Sequence, residues 1–231
     1  MVDCPIIWTE KKKIFLVESS LMPCPHKFQE YLNLEKLDFL PEIVIVGTFN
    51  PAWPEGNYAE WFYGRIRNNY FWDVLPRMID PELSLRRKGI HTKEWKLFCK
   101  QNKFALTDLI YCIEDADSQN PAHREALKSY SDASICRYFS AITFTDILGI
   151  LHRFPTIKQV YLTTQATIEV FNQQWIEIEN YGQENGLTVK RLLTPSASAR
   201  FQMGTYKSDN PLDKTPLRNF IYQQWKNTWG T

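Results

Sequence analysis

A chain of 231 residues that is 44% hydrophobic and 14% aromatic has ample means to fill a packed core, which excludes a disordered protein. Its 27 Lys and Arg nearly balance 26 Asp and Glu, for a net charge of +1. A broadly positive, nucleic-acid-coating surface is therefore excluded, and any such contact has to come from local patches.

In chain order, Lys11–Lys13 precede only a short apolar stretch, and no run has the length of a signal-peptide core or a membrane span, which predicts a soluble, cytoplasmic protein. A helix-like stretch near Lys27–Lys36 follows. Ile43–Gly47 (IVIVG) is a β-branched run ending at glycine and reads as a central parallel strand. A helix over Thr92–Gln101 leads into a second strand, Phe104–Leu109, which contains Asp108. The apolar spacing of TDILGILHRF predicts a helix capped by Thr145 or Asp146, with Pro155 just past its end. Strands Gln159–Leu162 and Leu187–Leu193 flank a helix over Ala166–Asn180, and a last helix covers Leu212–Trp225.

Alternating strands and helices predict an α/β fold: a three-layer sandwich with a central four-stranded parallel sheet flanked by helices. One domain over residues 1–231, with an N-terminal extension to about residue 40, fits the length. Ligands of such sheets bind beyond the carboxyl ends of the strands, so the loops beginning at Gly47, Leu109, Thr163 and Thr194 are expected at one edge. Two segments are locally basic. Trp61–Trp72 holds Arg65 and Arg67 without an acid, and Arg191–Lys207 holds Arg191, Arg200 and Lys207 without one. The cysteines, Cys4, Cys24, Cys99, Cys112 and Cys136, are odd in number and form no C-x-x-C pair, so reduced thiols are expected. Cys24 and His26 lack a second ligand pair, and no metal site is expected.

The stretch GTFNPAWPEGNYAEWFYGRIRNNYFWDVL, Gly47–Leu75, resembles the first signature of the uracil-DNA glycosylase superfamily, closest to its hypoxanthine and mismatch-specific branches. The matching pieces are Gly47-Thr48-Phe49, Asn50-Pro51, Tyr63-Gly64, Arg67-Asn68 and Phe71-Trp72. LLTPSASAR, Leu192–Arg200, resembles the second signature, and FALTDLI and TDILGILHRFPTIKQVYLTTQA resemble the segments between them. The likeness covers about residues 43–206. It departs from the pattern in four ways: one extra residue separates Tyr63 from Trp72, Ile66 or Arg67 stands in place of a proline, the first loop has Phe49-Asn50-Pro51 where relatives have phenylalanine-proline or asparagine-proline, and Thr163 occupies a position where asparagine is common.

The resemblance implies a monofunctional DNA glycosylase of base-excision repair, acting on uracil or hypoxanthine by base flipping, without metal or organic cofactor. Its partner is DNA with a damaged or deaminated base, and the chain is expected to be a monomer. Breaking the N-glycosidic bond leaves positive charge on the sugar and negative charge on the base. An asparagine amide can orient the attacking water or donate to the base. The resemblance favours Asn68 for that role, with Asn69 and Asn50 as alternatives, although Asn50 also suits a simple turn. Gly47, Thr48, Phe49 and Tyr63 are the implied base-binding residues. Stacking on Tyr63, and on Phe49 as a second candidate, is worth about 1–3 kcal/mol per base. Trp61, Phe71 and Trp72 read as core.

Arg65, Arg67, Pro195, Ser196, Ser198 and Arg200 are the implied DNA contacts, with small Ala197 and Ala199 letting backbone approach phosphates. His91, His123 and His152 fall outside the motifs and receive no catalytic role; His152, on an apolar helix, reads as structural. Two other classes fit parts of the pattern. One is a catalytically idle, nucleic-acid-binding relative, suggested by the altered asparagine spacing. The other is an enzyme acting on free nucleosides or nucleotides, allowed by the near-neutral charge.

Overall fold

A computed structural model describes residues 22–53, 57–86, 92–165, 168–207 and 215–230. Cys4, Lys11–Lys13 and His91 lie outside the described residues, as do the first residues of two expected helices, 166–167 and 212–214. The chain opens with β1 (Cys24–Pro25), α1 (Gln29–Leu32), β2 (Ile43–Gly47), α2 (Phe71–Arg77) and α3 (Thr92–Gln101). It continues through β3 (Phe104–Asp108), β4 (Ile110–Ile113), α4 (Pro121–Ser129), α5 (Asp132–Tyr138), β5 (Ile142–Phe144) and α6 (Ile147–Arg153). Then come β6 (Gln159–Leu162), α7 (Glu169–Asn185), β7 (Thr188–Arg191), a 3₁₀ turn at Ala197–Ala199, α8 (Arg200–Met203) and α9 (Pro216–Thr228).

The four-stranded sheet is parallel throughout, in the order β3-β2-β6-β7. Side chains alternate across it as the strand period requires. Ile45, Phe104, Leu106 and Tyr161 enter a core that α2, α3 and α9 complete with Trp72, Trp95, Phe98 and Trp225. Val44, Val46, Ala105, Val160 and Leu162 face the opposite core, built with Leu127 of α4, Ile135 of α5, Ile150 of α6 and Trp175 of α7. The result is helices, sheet, helices. Trp61, Phe71 and Trp72 are buried in the first of these cores.

Register places the strand ends level. Gly47 lies beside Asp108, Val46 beside Leu162, and Leu162 beside Arg191, so the following loops all open at one edge. A second, antiparallel sheet β1-β4-β5, absent from the sequence expectation, grows out of that edge. Leu109 and Ile110 donate to the carbonyls of Gly47 and Thr48, which carries β3 directly into β4. Pairing of β1 with β4, and of His26 with Pro51, ties Cys24–His26 into the body of the fold.

Local chemistry accounts for several boundaries. The helix expected over 27–36 is only the four residues of α1, because Leu34 adopts a left-handed φ of 60° just beyond it. Asp146 caps α6 by accepting from the Gly149 amide. Helix α7 outruns the expected Asn180 and stops where Gly186, at φ 70°, supplies the left-handed turn. Among the described residues no helix is long and apolar enough to cross a membrane.

Candidate active site

The loops after β2 and β7 meet through backbone hydrogen bonds. Tyr70 N–H donates to the Pro195 carbonyl at 2.6 Å, Ala197 N–H donates to the Asn68 carbonyl at 3.0 Å, and Asn69 bridges Ser196. Between them, at the carboxyl edge of the sheet, lies an open cleft of about 870 Å³. Gly47, Thr48, Phe49, Asn50, Tyr63, Arg65, Asn68, Asn69, Pro195, Ser196, Ser198 and Arg200 all line it. Arg67 does not; it is exposed, with its guanidinium 5.7 Å from the centre of the Tyr58 ring.

Tyr63 is fixed from three directions. Its φ of 56° turns the chain, its ring stacks on Phe71 at 3.8 Å and 6°, and its hydroxyl meets Thr163 Oγ1 at 2.9 Å. Burial and the charge of Asp108 push its phenol well above the ordinary tyrosine value, so it remains a neutral hydroxyl. Gly47 is required beneath it, since a Cβ there would stand 2.2 Å from Asp108 Oδ1 and 2.8 Å from the Tyr63 hydroxyl.

The three asparagines differ in freedom. Asn50 is 7% exposed, and its side-chain oxygen accepts from Asn57 Nδ2 at 2.6 Å, which makes it a loop tie. Asn69 Oδ1 accepts from the Phe71 amide at 2.9 Å and starts α2. Asn68 is exposed at the cleft, and among the described residues its amide makes no side-chain hydrogen bond. On the second loop the hydroxyls of Thr194, Ser196 and Ser198 form a chain, with contacts of 3.1 and 2.6 Å. Arg200 is exposed beside Phe201, whose side chain is 80% exposed at the cleft's rim.

Several cleft residues carry no role in the sequence expectation. Asp108, at the end of β3, accepts from His26 at 2.7 Å. The imidazole's other nitrogen, Nδ1, accepts from the Phe28 amide, so the proton resides on Nε2 and is donated to Asp108. His26 is fully buried, stacked on Phe62 and edge-on to Phe49 beneath the cleft floor. Asp132, at the start of α5, accepts from Thr48 Oγ1 at 3.2 Å. Burial raises its carboxyl to about 6, with the Asp108 charge adding to that rise and the Thr48 hydrogen bond opposing it. Arg65 lies over the Tyr130 ring, and burial lowers its guanidinium from the ordinary value.

The signal for Asp108 was a strand-end acid at the binding edge of a parallel sheet. His26 and Asp132 have no such marker, since the contacts that define them span tens of residues. Of the remaining histidines, His123 accepts from the Asp117 amide, and His152 is exposed against the edge of Tyr181. Among the described residues no group of three or more His, Cys, Asp or Glu is arranged to hold a metal ion. Burial pushes the Cys24 and Cys112 thiols up to about 11 and about 12, away from nucleophilic reactivity.

No protein-family model matches the chain, and no curated protein matches it. Among solved structures the chain is similar to the solution NMR structure of a "putative Uracil DNA glycosylase" from Methanosarcina acetivorans. The similarity has 16% identity, covers 83% of this chain and 93% of that one, and gives a TM-score of 0.49.

Proposed function

We propose that the protein is a monofunctional DNA glycosylase of the uracil-DNA glycosylase superfamily that hydrolyses the N-glycosidic bond of a deaminated base, uracil or hypoxanthine. The observation that carries this is the union of the two signature loops around one cleft of about 870 Å³. A flipped nucleotide needs a recess of this order, with a flat aromatic wall and a few polar groups to read the base. Tyr63, held against Phe71 and Thr163, supports the wall's role because it is already in place before substrate arrives. The Asn68 amide, without a side-chain hydrogen bond among the described residues, is suited to orient a water or stabilise the departing base. Arg200 and the small residues of the second loop suit contact with the flanking phosphates.

The test is excision from single- and double-stranded oligonucleotides carrying uracil, hypoxanthine, xanthine or a thymine mispair. Release of uracil or hypoxanthine is expected, with Asn68→Ala slowing it by about 10²–10³-fold, the usual cost of one positioned polar group. Folded protein that releases no base from any of these substrates overturns the proposal.

A second reading, an enzyme of free nucleosides, is favoured by one observation. Asp108 and Asp132 stand on the cleft wall and repel a phosphate backbone. It predicts nucleoside cleavage with salt-independent kinetics and no measurable affinity for DNA.

A further inference from the structure

Helix α5 brings to the cleft a carboxylate that neither signature loop contains. Ser131 caps the helix by accepting from the Ser134 amide, and this sets Asp132 in the first turn, facing Thr48. The two acids on this wall are not equivalent. Asp108 is engaged by the buried imidazole of His26. Asp132 accepts a single hydrogen bond among the described residues, from the Thr48 hydroxyl, and otherwise borders the cleft.

We propose that Asp132 is the general base of the reaction, its carboxylate taking a proton from the water that attacks C1′ of the extruded nucleotide. This assignment rests on the glycosylase activity proposed above. In the step, the C1′–N bond breaks and its electron pair leaves with the base. The water oxygen supplies the pair for the new C1′–O bond, and the water proton passes to Asp132, then to the departing base. Nothing is oxidised or reduced, and the products are the free base and an abasic sugar.

An asparagine amide can hold that water but cannot accept its proton, so Asn68 and Asp132 divide the work between orientation and proton removal. The electrostatic setting is consistent with this division. Burial raises the Asp132 carboxyl to about 6, close enough to neutrality to exchange a proton yet ionised at the pH of the cell. The titratable and charged groups around it are Asp108 on β3, Tyr63 in the loop after β2, and Cys136 one turn further along α5. Arg65 also lines the cleft, with its guanidinium on the ring of Tyr130, two residues before Asp132.

The experiment measures single-turnover excision of uracil and hypoxanthine against pH for the wild type, Asp132→Asn and Thr48→Val. Wild-type rates are expected to fall tenfold per pH unit below an inflection near 6. Asp132→Asn is expected to lose about 10²–10⁴-fold, and its residual rate to be flat across that limb. Thr48→Val, which removes the hydrogen bond holding the carboxyl down, is expected to move the inflection upward. A folded Asp132→Asn protein within threefold of the wild type, or one that is slower but keeps the acid limb, overturns the assignment and leaves the glycosylase standing. An unmoved inflection in Thr48→Val also overturns it. A wild type inactive on every oligonucleotide removes the glycosylase and the base together.

Discussion

Burying the Asp132 carboxyl beside Asp108 affects folding as well as chemistry. Its folded value, about 6, lies above that of an unfolded aspartate, so the native state holds the proton more tightly. Stability attached to this group is fully present below about pH 4 and is lost as pH rises towards 6. Two units correspond to about 3 kcal/mol. Asp132→Asn, which retains an oxygen to accept from Thr48, is expected to raise the free energy of unfolding at about pH 7.5 by up to that amount. Near pH 4 it is expected to match the wild type, and urea denaturation at both values measures the difference. Equal stability at both values means that the carboxylate does not bear this burial penalty. A residue that weakens the fold while equipping the site is the pattern expected where function and stability compete.

Between elements, a buried ion cluster joins α2 to α9. Asp73 is 1% exposed, forms ion pairs with Arg218 at 3.2 Å and Arg77 at 3.6 Å, and accepts a hydrogen bond from the Ser84 hydroxyl at 2.6 Å. Arg77 also lies over Tyr222 and donates to Asn219. Removing the one acid leaves two guanidinium groups facing each other in a half-buried setting, so Asp73→Ala is expected to cost about 3 kcal/mol. Chemical denaturation reads this directly, and a loss below about 1 kcal/mol rules the cluster out as a support of α2. The elements legible in the sequence were those with a clear period. Ile43–Gly47 and Gln159–Leu162 are β-branched or apolar runs between turns, and Thr92–Gln101 has an amphipathic stripe. All three have the expected bounds. Helices α2, α4 and α5 escaped because their seven to nine residues lack the apolar spacing that revealed the equally short α6: α4 and α5 bury only two residues and one, and α2 is buried nearly all round. The caps of α4 and α5, Asn120 and Ser131, were the better signal, as was the Asn69 turn that precedes α2. With α5 went Asp132, and with the two-residue β1 went the placement of His26. The signature loops were legible by resemblance, whereas the acids and the imidazole between them come together only through tertiary pairing.

For the whole molecule, near-neutral charge means that any grip on DNA is local. Arg200 supplies charge at the cleft's rim, and Phe201 supplies an apolar ring almost fully in solvent. The two are expected to separate in a salt titration of DNA affinity. Arg200→Ala should reduce the slope of log K against log salt by about 1. Phe201→Ala should weaken binding by about 1–3 kcal/mol at every salt concentration, with the slope unchanged, as for loss of a stacked base. Fluorescence anisotropy with a labelled duplex distinguishes these outcomes, and two wild-type-like titrations remove this rim from the DNA contact.

The backbone strap between Asn68–Tyr70 and Pro195–Ala197 acts as a fixed gauge. Arg86 braces it by donating to the Asn69 carbonyl, so the mouth cannot spread without giving up two main-chain bonds at once. For the glycosylase proposed above, admission of a bulky purine or a slim pyrimidine would then be decided by a gap set during folding, before any nucleotide approaches. Selectivity of this kind is altered by residues that never touch the guest, because loosening the strap changes the width offered to all of them.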